Sequence, residues 1–146
     1  MQRFRVATTI YYGLDSLALL KQLAGCRVLV VTDAFMATTD LMAQVRQSLA
    51  GAEVRVFDRV EPNPSIDLIS TGFGVLLEFE PQAIVALGGG SPIDTAKAVN
   101  LLTTNPGELM DYINLPVGKG RAPTTRLLPL VAVPTTTGTG SESTTI

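Results

Sequence analysis

The fold is decided by the stretch Leu87-Gly88-Gly89-Gly90-Ser91-Pro92-Ile93-Asp94, in which three glycines join an apolar run to a helical segment. Because glycine has no side chain, a phosphate can approach the backbone N–H groups closely here. The unpaired N–H groups and the dipole of the helix that follows favour an anion. Ser91 is predicted to cap this helix, with Pro92 at its first position and Asp94 completing a capping box. The stretch therefore predicts a phosphate-binding turn; a well-capped tight turn that binds nothing is the alternative.

Apolar runs on both sides of this turn predict four buried strands. Their predicted bounds are 28–32, 54–57, 83–87 and 127–133. Pro129 cannot donate to a ladder, so the last strand should begin after it or lie at an edge. Segments with helical spacing lie between the strands, over 35–49, 65–79 and 92–103. This alternation predicts the α/β class, with a Rossmann-like parallel sheet and helices on both faces.

Further elements are predicted with less regular patterns. A possible edge strand over 6–12 and a helix over about 14–24 precede the sheet, and the connection over 105–125 contains one short turn around 109–112. The helix over 35–49 carries the apolar stripe Phe35, Met42, Val45 and Leu49. The helix over 65–79 carries Ile66, Ile69, Phe73, Leu76 and Leu77. Gly72 and Gly74 weaken that second helix, so we expect close packing at both glycines.

A second turn of the same kind, from Pro134 to Glu142, follows the fourth strand. It contains five hydroxyl side chains and two glycines. Because open α/β sheets bind ligands at the carboxyl ends of their strands, the two turns predict one shared cleft. A polar loop with capping hydroxyls is the alternative. Asp33 ends the first strand, where its carboxylate either binds a ribose diol and repels a 2′-phosphate or caps the next helix.

The composition excludes several classes of function. The net charge is −2 and the basic residues are scattered, which argues against a nucleic-acid partner. No apolar run is long enough to span a membrane. The sequence contains no histidine, so the commonest general base and metal ligand are both missing. The single cysteine, Cys26, cannot form an internal disulfide; we interpret it as a core residue of a cytoplasmic protein.

Three stretches resemble the hallmark motifs of the iron-containing (group III) alcohol dehydrogenases: 88–98, 62–65 and 134–142. The sequence is most similar to the lactaldehyde reductase and 1-propanol dehydrogenase types. The resemblance implies that residues 1–146 are the dinucleotide-binding domain of a two-domain enzyme. An all-helical domain, absent from this chain, would hold Fe²⁺ or Zn²⁺ through a carboxylate and three histidines. The expected partners are a small alcohol or aldehyde and further copies of the chain in a homo-oligomer.

Carried over position by position, the resemblance also implies a set of cofactor-binding residues. Asp33 would meet the adenosine ribose and Asn63 would lie beside the cofactor. The pyrophosphate would be held by Gly89, Gly90 and Ser91, and Asp94 would lie near the nicotinamide. The opposite wall would consist of Thr135, Thr136, Thr139 and Thr144. We expect NAD in preference to NADP because of Asp33, and we expect this chain alone to be inactive, because it supplies binding and orientation only.

The T-x-x-E pattern of Thr139–Glu142 predicts that a helix begins there. The few residues that follow would form only a marginal helix, so we expect a longer protein cut at this point. Three alternatives stay open from the sequence. They are a glycerol-dehydrogenase-like or dehydroquinate-synthase-like enzyme, a non-catalytic nucleotide-binding module, and a flavodoxin-like protein that binds FMN or another phosphate ligand.

Overall fold

A computed structural model of the chain describes residues 8–62 and 66–143. Its strands are β1 (Arg27–Val31), β2 (Glu53–Phe57), β3 (Ala83–Gly88) and β4 (Leu130–Pro134). All pairings are parallel and the strand order is β2-β1-β3-β4, which confirms the predicted Rossmann-like α/β sheet. Strand β4 begins directly after Pro129. This proline donates nothing, but its carbonyl accepts a hydrogen bond from the amide of Ile84.

The α-helices are α1 (Asp40–Ser48), α2 (Ile66–Phe79), α3 (Gly90–Thr104) and the short α4 (Leu109–Tyr112). Two 3-10 helices cover Ser16–Leu23 and Met36–Thr38. The predicted strand over 6–12 is wrong for its described residues, 8–12, which form no strand. Among the described residues, no helix combines the length and apolar character needed to cross a membrane.

The sheet is covered on both faces, as predicted. Alternate side chains of β1 and β3, such as Leu29 and Ile84, enter a core with α2 and α3. Their neighbours in sequence, such as Val30 and Val85, enter a second core with α1 and the 3-10 helix Ser16–Leu23. This alternation follows from the two-residue side-chain period of a strand. Both cores lie against β1 and β3, so the ends of these two strands are held rigidly.

The helix predicted over 35–49 is interrupted at Thr39. Thr39 has an extended backbone and caps α1 by accepting a hydrogen bond from the Met42 amide at 3.4 Å. The interruption turns Phe35 away from the core, so its place in the predicted stripe is wrong and it is 75% exposed. Met42, Val45 and Leu49 are buried, as predicted.

The two glycines of α2 differ in their packing. A Cβ atom at Gly72 would lie 3.1 Å from Cγ2 of Val99, so α2 and α3 approach closely there, as predicted. A Cβ atom at Gly74 would meet nothing within 4 Å, and the expectation of close packing at this position is wrong. Leu77 is also misplaced by the predicted stripe: it lies on the solvent side of α2 and is 53% exposed.

The chain reverses direction across the sheet between β1 and β3. It moves from β1 outward to β2 and then returns past β1 to reach β3. Such a reversal opens a crevice at the carboxyl ends of the two central strands, where α/β proteins bind ligands. Buried Thr32 joins the two strand ends here, because its hydroxyl donates to the carbonyl of Leu87 at 2.8 Å.

Two buried asparagines hold the segment that leads into β4. The side-chain amide of Asn100 pairs with both backbone groups of Leu128. Its Nδ2 donates to the carbonyl at 2.9 Å, and its Oδ1 accepts from the amide at 3.0 Å. Asn105 accepts hydrogen bonds from the amides of Thr124 and Thr125, each at 2.8 Å. Helix α3 therefore fixes the register of β4 through side chains as well as through the sheet.

Replacement of Asn100 by leucine, Asn100→Leu, should lower the free energy of unfolding by about 2–3 kcal/mol, because it leaves the N–H and C=O groups of Leu128 without partners. Urea unfolding followed by circular dichroism measures this change. The exposed Gln47 on α1 offers a control. Gln47→Leu makes a comparable replacement outside the core and should change the stability by less than about 0.5 kcal/mol. Equal stabilities for the two variants would contradict the role given to Asn100.

Candidate dinucleotide-binding site

The turn after β3 is as short as a strand-to-helix connection can be. Strand β3 ends at Gly88 and α3 begins at Gly90. Gly88 has a φ of +142°, a conformation that side-chain-bearing residues rarely adopt. A Cβ atom at Gly88 would lie 2.7 Å from Cγ of Pro92, which is buried beneath the turn. Glycine is therefore required at this position both by the backbone conformation and by the close contact with Pro92.

The cap of α3 differs from the predicted one. The N-cap is Gly89, no side chain caps the helix, and Ser91 and Pro92 lie inside its first turn. The predictions that Ser91 caps the helix and that Asp94 completes a capping box are therefore wrong. The physical reason is that the glycines allow the helix to begin earlier than Ser91. As a result, no side chain among the described residues satisfies the first-turn N–H groups of α3, and groups of this kind bind anions at helix N-termini.

The second turn packs directly on the first. The amide of Thr135 continues the β3–β4 ladder by donating to the carbonyl of Gly88 at 2.9 Å. A Cβ atom at Gly89 would lie 3.1 Å from Oγ1 of Thr136, and one at Gly90 would lie 3.1 Å from Oγ of Ser141. The glycines thus allow the two turns to pack against each other. They also leave the backbone without side chains that would keep a phosphate away. The sequence indicated only the second of these roles.

The hydroxyl side chains of the second turn differ in exposure. Thr135, Thr136 and Thr139 are exposed beside the glycine turn, which brings the two predicted walls together. Ser141 is buried and donates through Oγ to Oδ2 of Asp94 at 3.1 Å. This contact was not predicted, because its partners are 47 residues apart and no local pattern links them.

The capping box predicted for Thr139–Glu142 is not formed by the described residues. Oγ1 of Thr139 accepts a 3.4 Å hydrogen bond from the amide of Ser141, two residues on, and the amide of Ser143 donates to Gly140. Residues 141–143 form a turn. Thr144, another predicted cofactor contact, lies outside the described residues.

Asp33 caps the segment that follows β1. Its Oδ1 accepts a hydrogen bond from the amide of Met36 at 2.8 Å, so the side chain holds the first residue of the 3-10 helix Met36–Thr38, although the N-cap residue of that helix is Phe35. Asp33 is half-buried, and its Oδ2 makes no hydrogen bond to the described residues. The ribose-binding role therefore stays a prediction, with one oxygen of the carboxylate available for it. Asn63 lies outside the described residues.

A groove beside β4 and the distribution of metal-ligating side chains also bear on what the described residues can bind. A groove of about 650 Å³ runs along β4 on the side not paired with β3, lined by residues 8–11, by the 3-10 helix Ser16–Leu23 and by β4 itself. Over residues 8–62 and 66–143, no three His, Cys, Asp or Glu side chains are grouped closely enough to hold a metal ion.

Residues 7–146 match the family model described as iron-containing alcohol dehydrogenase. The chain belongs to this family. The family match confirms the resemblance drawn from the three motifs. It also favours the iron-containing alcohol dehydrogenases over the glycerol-dehydrogenase-like and dehydroquinate-synthase-like alternatives.

Individual members of the family are similar over nearly the whole chain. A mitochondrial hydroxyacid-oxoacid transhydrogenase of Bos taurus is 38% identical over 149 residues, which cover 97% of this chain and 30% of the relative. An NAD-dependent methanol dehydrogenase of Bacillus methanolicus is 38% identical over 129 residues, which cover 87% of this chain and 32% of the relative. The crystal structure of a 1,3-propanediol oxidoreductase superposes with a TM-score of 0.84 at 33% identity, covering 99% of this chain and 38% of that one. The chain thus spans about a third of the length of these family members.

Replacement of Gly88 by alanine, Gly88→Ala, should lower the free energy of unfolding by about 2–4 kcal/mol, because the family's glycine turn would then be both strained and overpacked against Pro92. Gly74 provides the control, since a Cβ atom there meets nothing within 4 Å. Gly74→Ala should stabilise α2 by about 0.5–1 kcal/mol through helix propensity. Urea denaturation measures both changes, and a Gly88→Ala variant as stable as the unmodified chain would show that the turn tolerates a side chain.

Proposed function

We propose that this chain forms the dinucleotide-binding part of an NAD-dependent alcohol dehydrogenase that interconverts small alcohols and aldehydes by hydride transfer. The observation that carries the proposal is the meeting of three features at one edge of the sheet. The uncapped glycine turn, the hydroxyl-rich turn and Asp33 follow three neighbouring strands, at the reversal between β1 and β3. A dinucleotide binds at this position in doubly wound sheets.

The chemistry of the described groups fits a dinucleotide in an extended pose. The Oδ2 atom of Asp33 offers an acceptor to the hydroxyls of a ribose and a negative charge against a 2′-phosphate. The first-turn N–H groups of α3 offer donors to a pyrophosphate. The exposed hydroxyls of Thr135, Thr136 and Thr139 offer both donors and acceptors on the β4 side. Adenosine would therefore lie over β1, the pyrophosphate over β3 and the nicotinamide nucleoside over β4.

The catalytic contribution of this chain would be binding and orientation. A bound nicotinamide supplies the hydride acceptor or donor, and a divalent metal ion supplies a Lewis acid at the substrate oxygen. The 146 residues contain no histidine, and their described part contains no cluster of three His, Cys, Asp or Glu side chains that could hold a metal ion. We therefore propose that the metal ligands belong to sequence found in the longer family members, and that the alcohol is selected there as well.

The 146-residue chain should bind NAD weakly and should catalyse no alcohol oxidation, because the cofactor would be covered on one side only and the reaction would lack a Lewis acid. Calorimetric titration with NAD, and with FMN for comparison, measures the binding. Absorbance at the NADH band measures turnover with ethanol, 1-propanol, 1,2-propanediol and lactate, with and without added iron or zinc. Lactate is included because one relative is named for hydroxyacids.

Each outcome of this experiment bears on a different part of the proposal. Turnover by the rigorously purified chain would show that the metal argument is wrong. Undetectable binding at millimolar NAD would show that these residues do not form a cofactor site by themselves. Tighter binding of FMN than of NAD would favour the flavodoxin-like alternative instead.

Asp33→Asn should reduce the preference for NAD over NADP by roughly tenfold, because it removes the charge that repels a 2′-phosphate. The amide oxygen of asparagine can still accept the hydrogen bond from Met36, so the cap and the stability should be retained. The ratio of the two dissociation constants, measured by calorimetry, gives the result. An unchanged ratio in a variant of unchanged melting temperature would show that Asp33 only caps the turn.

A further inference from the structure

We infer that Ser141 is a positioning residue that orients the carboxylate of Asp94 toward the nicotinamide nucleoside of the bound cofactor. The inference rests on the proposed function, since it assigns a role within the same site. No local sequence pattern links these two residues. Asp94 lies in the second turn of α3, and Ser141 lies beyond β4. The packing of the two turns brings them together.

Both oxygens of the Asp94 carboxylate are engaged by different elements. Oδ2 accepts a 3.1 Å hydrogen bond from Oγ of Ser141, and Oδ1 lies 3.5 Å from Nζ of Lys97 on the next turn of α3. Ser141 is only 5% exposed, and its Oγ lies where a Cβ atom at Gly90 would be 3.1 Å away. The hydroxyl is therefore confined, and the glycine at position 90 leaves the space that it occupies.

The exposure of the Asp94 side chain favours a role in ligand binding over a role in stabilising the fold. Its side chain is 56% exposed even though two neighbours hold it. Hydrogen bonds and ion pairs to a carboxylate this exposed contribute little to folding, because water competes for the charge. A fixed orientation, by contrast, matters to a ligand, because a polar group held in advance needs no ordering when the ligand binds. The arrangement is therefore better suited to ligand binding than to stability.

The order of the strands places this carboxylate on one half of the cofactor. Asp33 follows β1 and marks the adenosine side, and the start of α3 follows β3 and marks the pyrophosphate. Strand β4 lies on the side of β3 away from β1, so the turn containing Ser141 faces the remaining nucleoside. Carboxylate oxygens accept hydrogen bonds from hydroxyl and amide N–H groups, and the nicotinamide nucleoside carries both.

The test compares two ligands that differ in this half, namely NAD and ADP, which lacks the nicotinamide nucleoside, by calorimetric titration of the 146-residue chain. Ser141→Ala should weaken NAD binding about fivefold to tenfold, on the scale of one charge-assisted hydrogen bond, and should change ADP binding by less than twofold. Asp94→Asn should show the same selectivity. The double variant should lose no more NAD affinity than Asp94→Asn alone, because Ser141 acts through Asp94.

Ser143→Ala is the matched control, since Ser143 is an exposed serine of the same turn. It should leave both affinities unchanged. Asp94→Asn keeps the test decisive if Ser141→Ala fails to fold, because an exposed side chain on α3 is altered without opening a cavity. Selective loss of NAD affinity in Asp94→Asn then supports the inference only if the circular dichroism spectrum and melting temperature are those of the unmodified chain.

Three results would overturn the inference. Equal losses for NAD and ADP would mean that Ser141 shapes the whole cleft and positions nothing in particular. Unchanged NAD affinity in a folded Ser141→Ala variant would mean that the hydrogen bond has no role in binding. If the unmodified chain binds neither ligand, the proposed function fails and this inference fails with it, an outcome distinct from the other two because it appears before any variant is made.

Discussion

The site depends on the absence of side chains at three consecutive positions where β3 passes into α3. Gly88 allows a backbone conformation and a contact with Pro92 that a Cβ atom would prevent. Gly89 and Gly90 allow the second turn to lie against the first. Because the helix then starts without a side-chain cap, its first N–H groups are left for an anion. One local constraint thus sets the turn geometry, the contact between the turns and the N–H groups that the proposed function assigns to the pyrophosphate.

Buried polar side chains transmit this constraint to the rest of the sheet. Thr32 fixes the end of β1 to the end of β3, and Asn100 fixes the approach to β4 from the helix that the glycine turn begins. Each of them satisfies backbone groups that would otherwise lose hydrogen bonds in the interior. The carboxyl ends of β1 and β3, and separately the start of β4, are therefore positioned by directional bonds, which are more specific than apolar packing alone.

Much of this fold follows from local patterns, and the site follows only in part. The strands were predictable because fully covered strands are continuous apolar runs, and the start of β4 because proline cannot donate to a ladder. The interruption of the helix predicted over 35–49 was not predictable, because the apolar spacing continues through Thr39. The cap at Gly89 was missed because capping rules rank serine high, whereas this backbone needs no side-chain cap. The contact of Ser141 with Asp94 depends on tertiary packing that no spacing encodes.

The capping and binding roles of Asp33 were alternatives on the sequence, but the structure makes them compatible. The hydrogen bond from Met36 occupies Oδ1 and fixes the plane of the carboxylate, while Oδ2 makes no bond to the described residues. A cap therefore restricts the direction in which the second oxygen can point. Asp94 has a similar arrangement, with Ser141 on one oxygen and Lys97 near the other. At both ends of the proposed cleft, a hydrogen bond within the protein orders a carboxylate before any ligand arrives, so less conformational entropy is lost on binding.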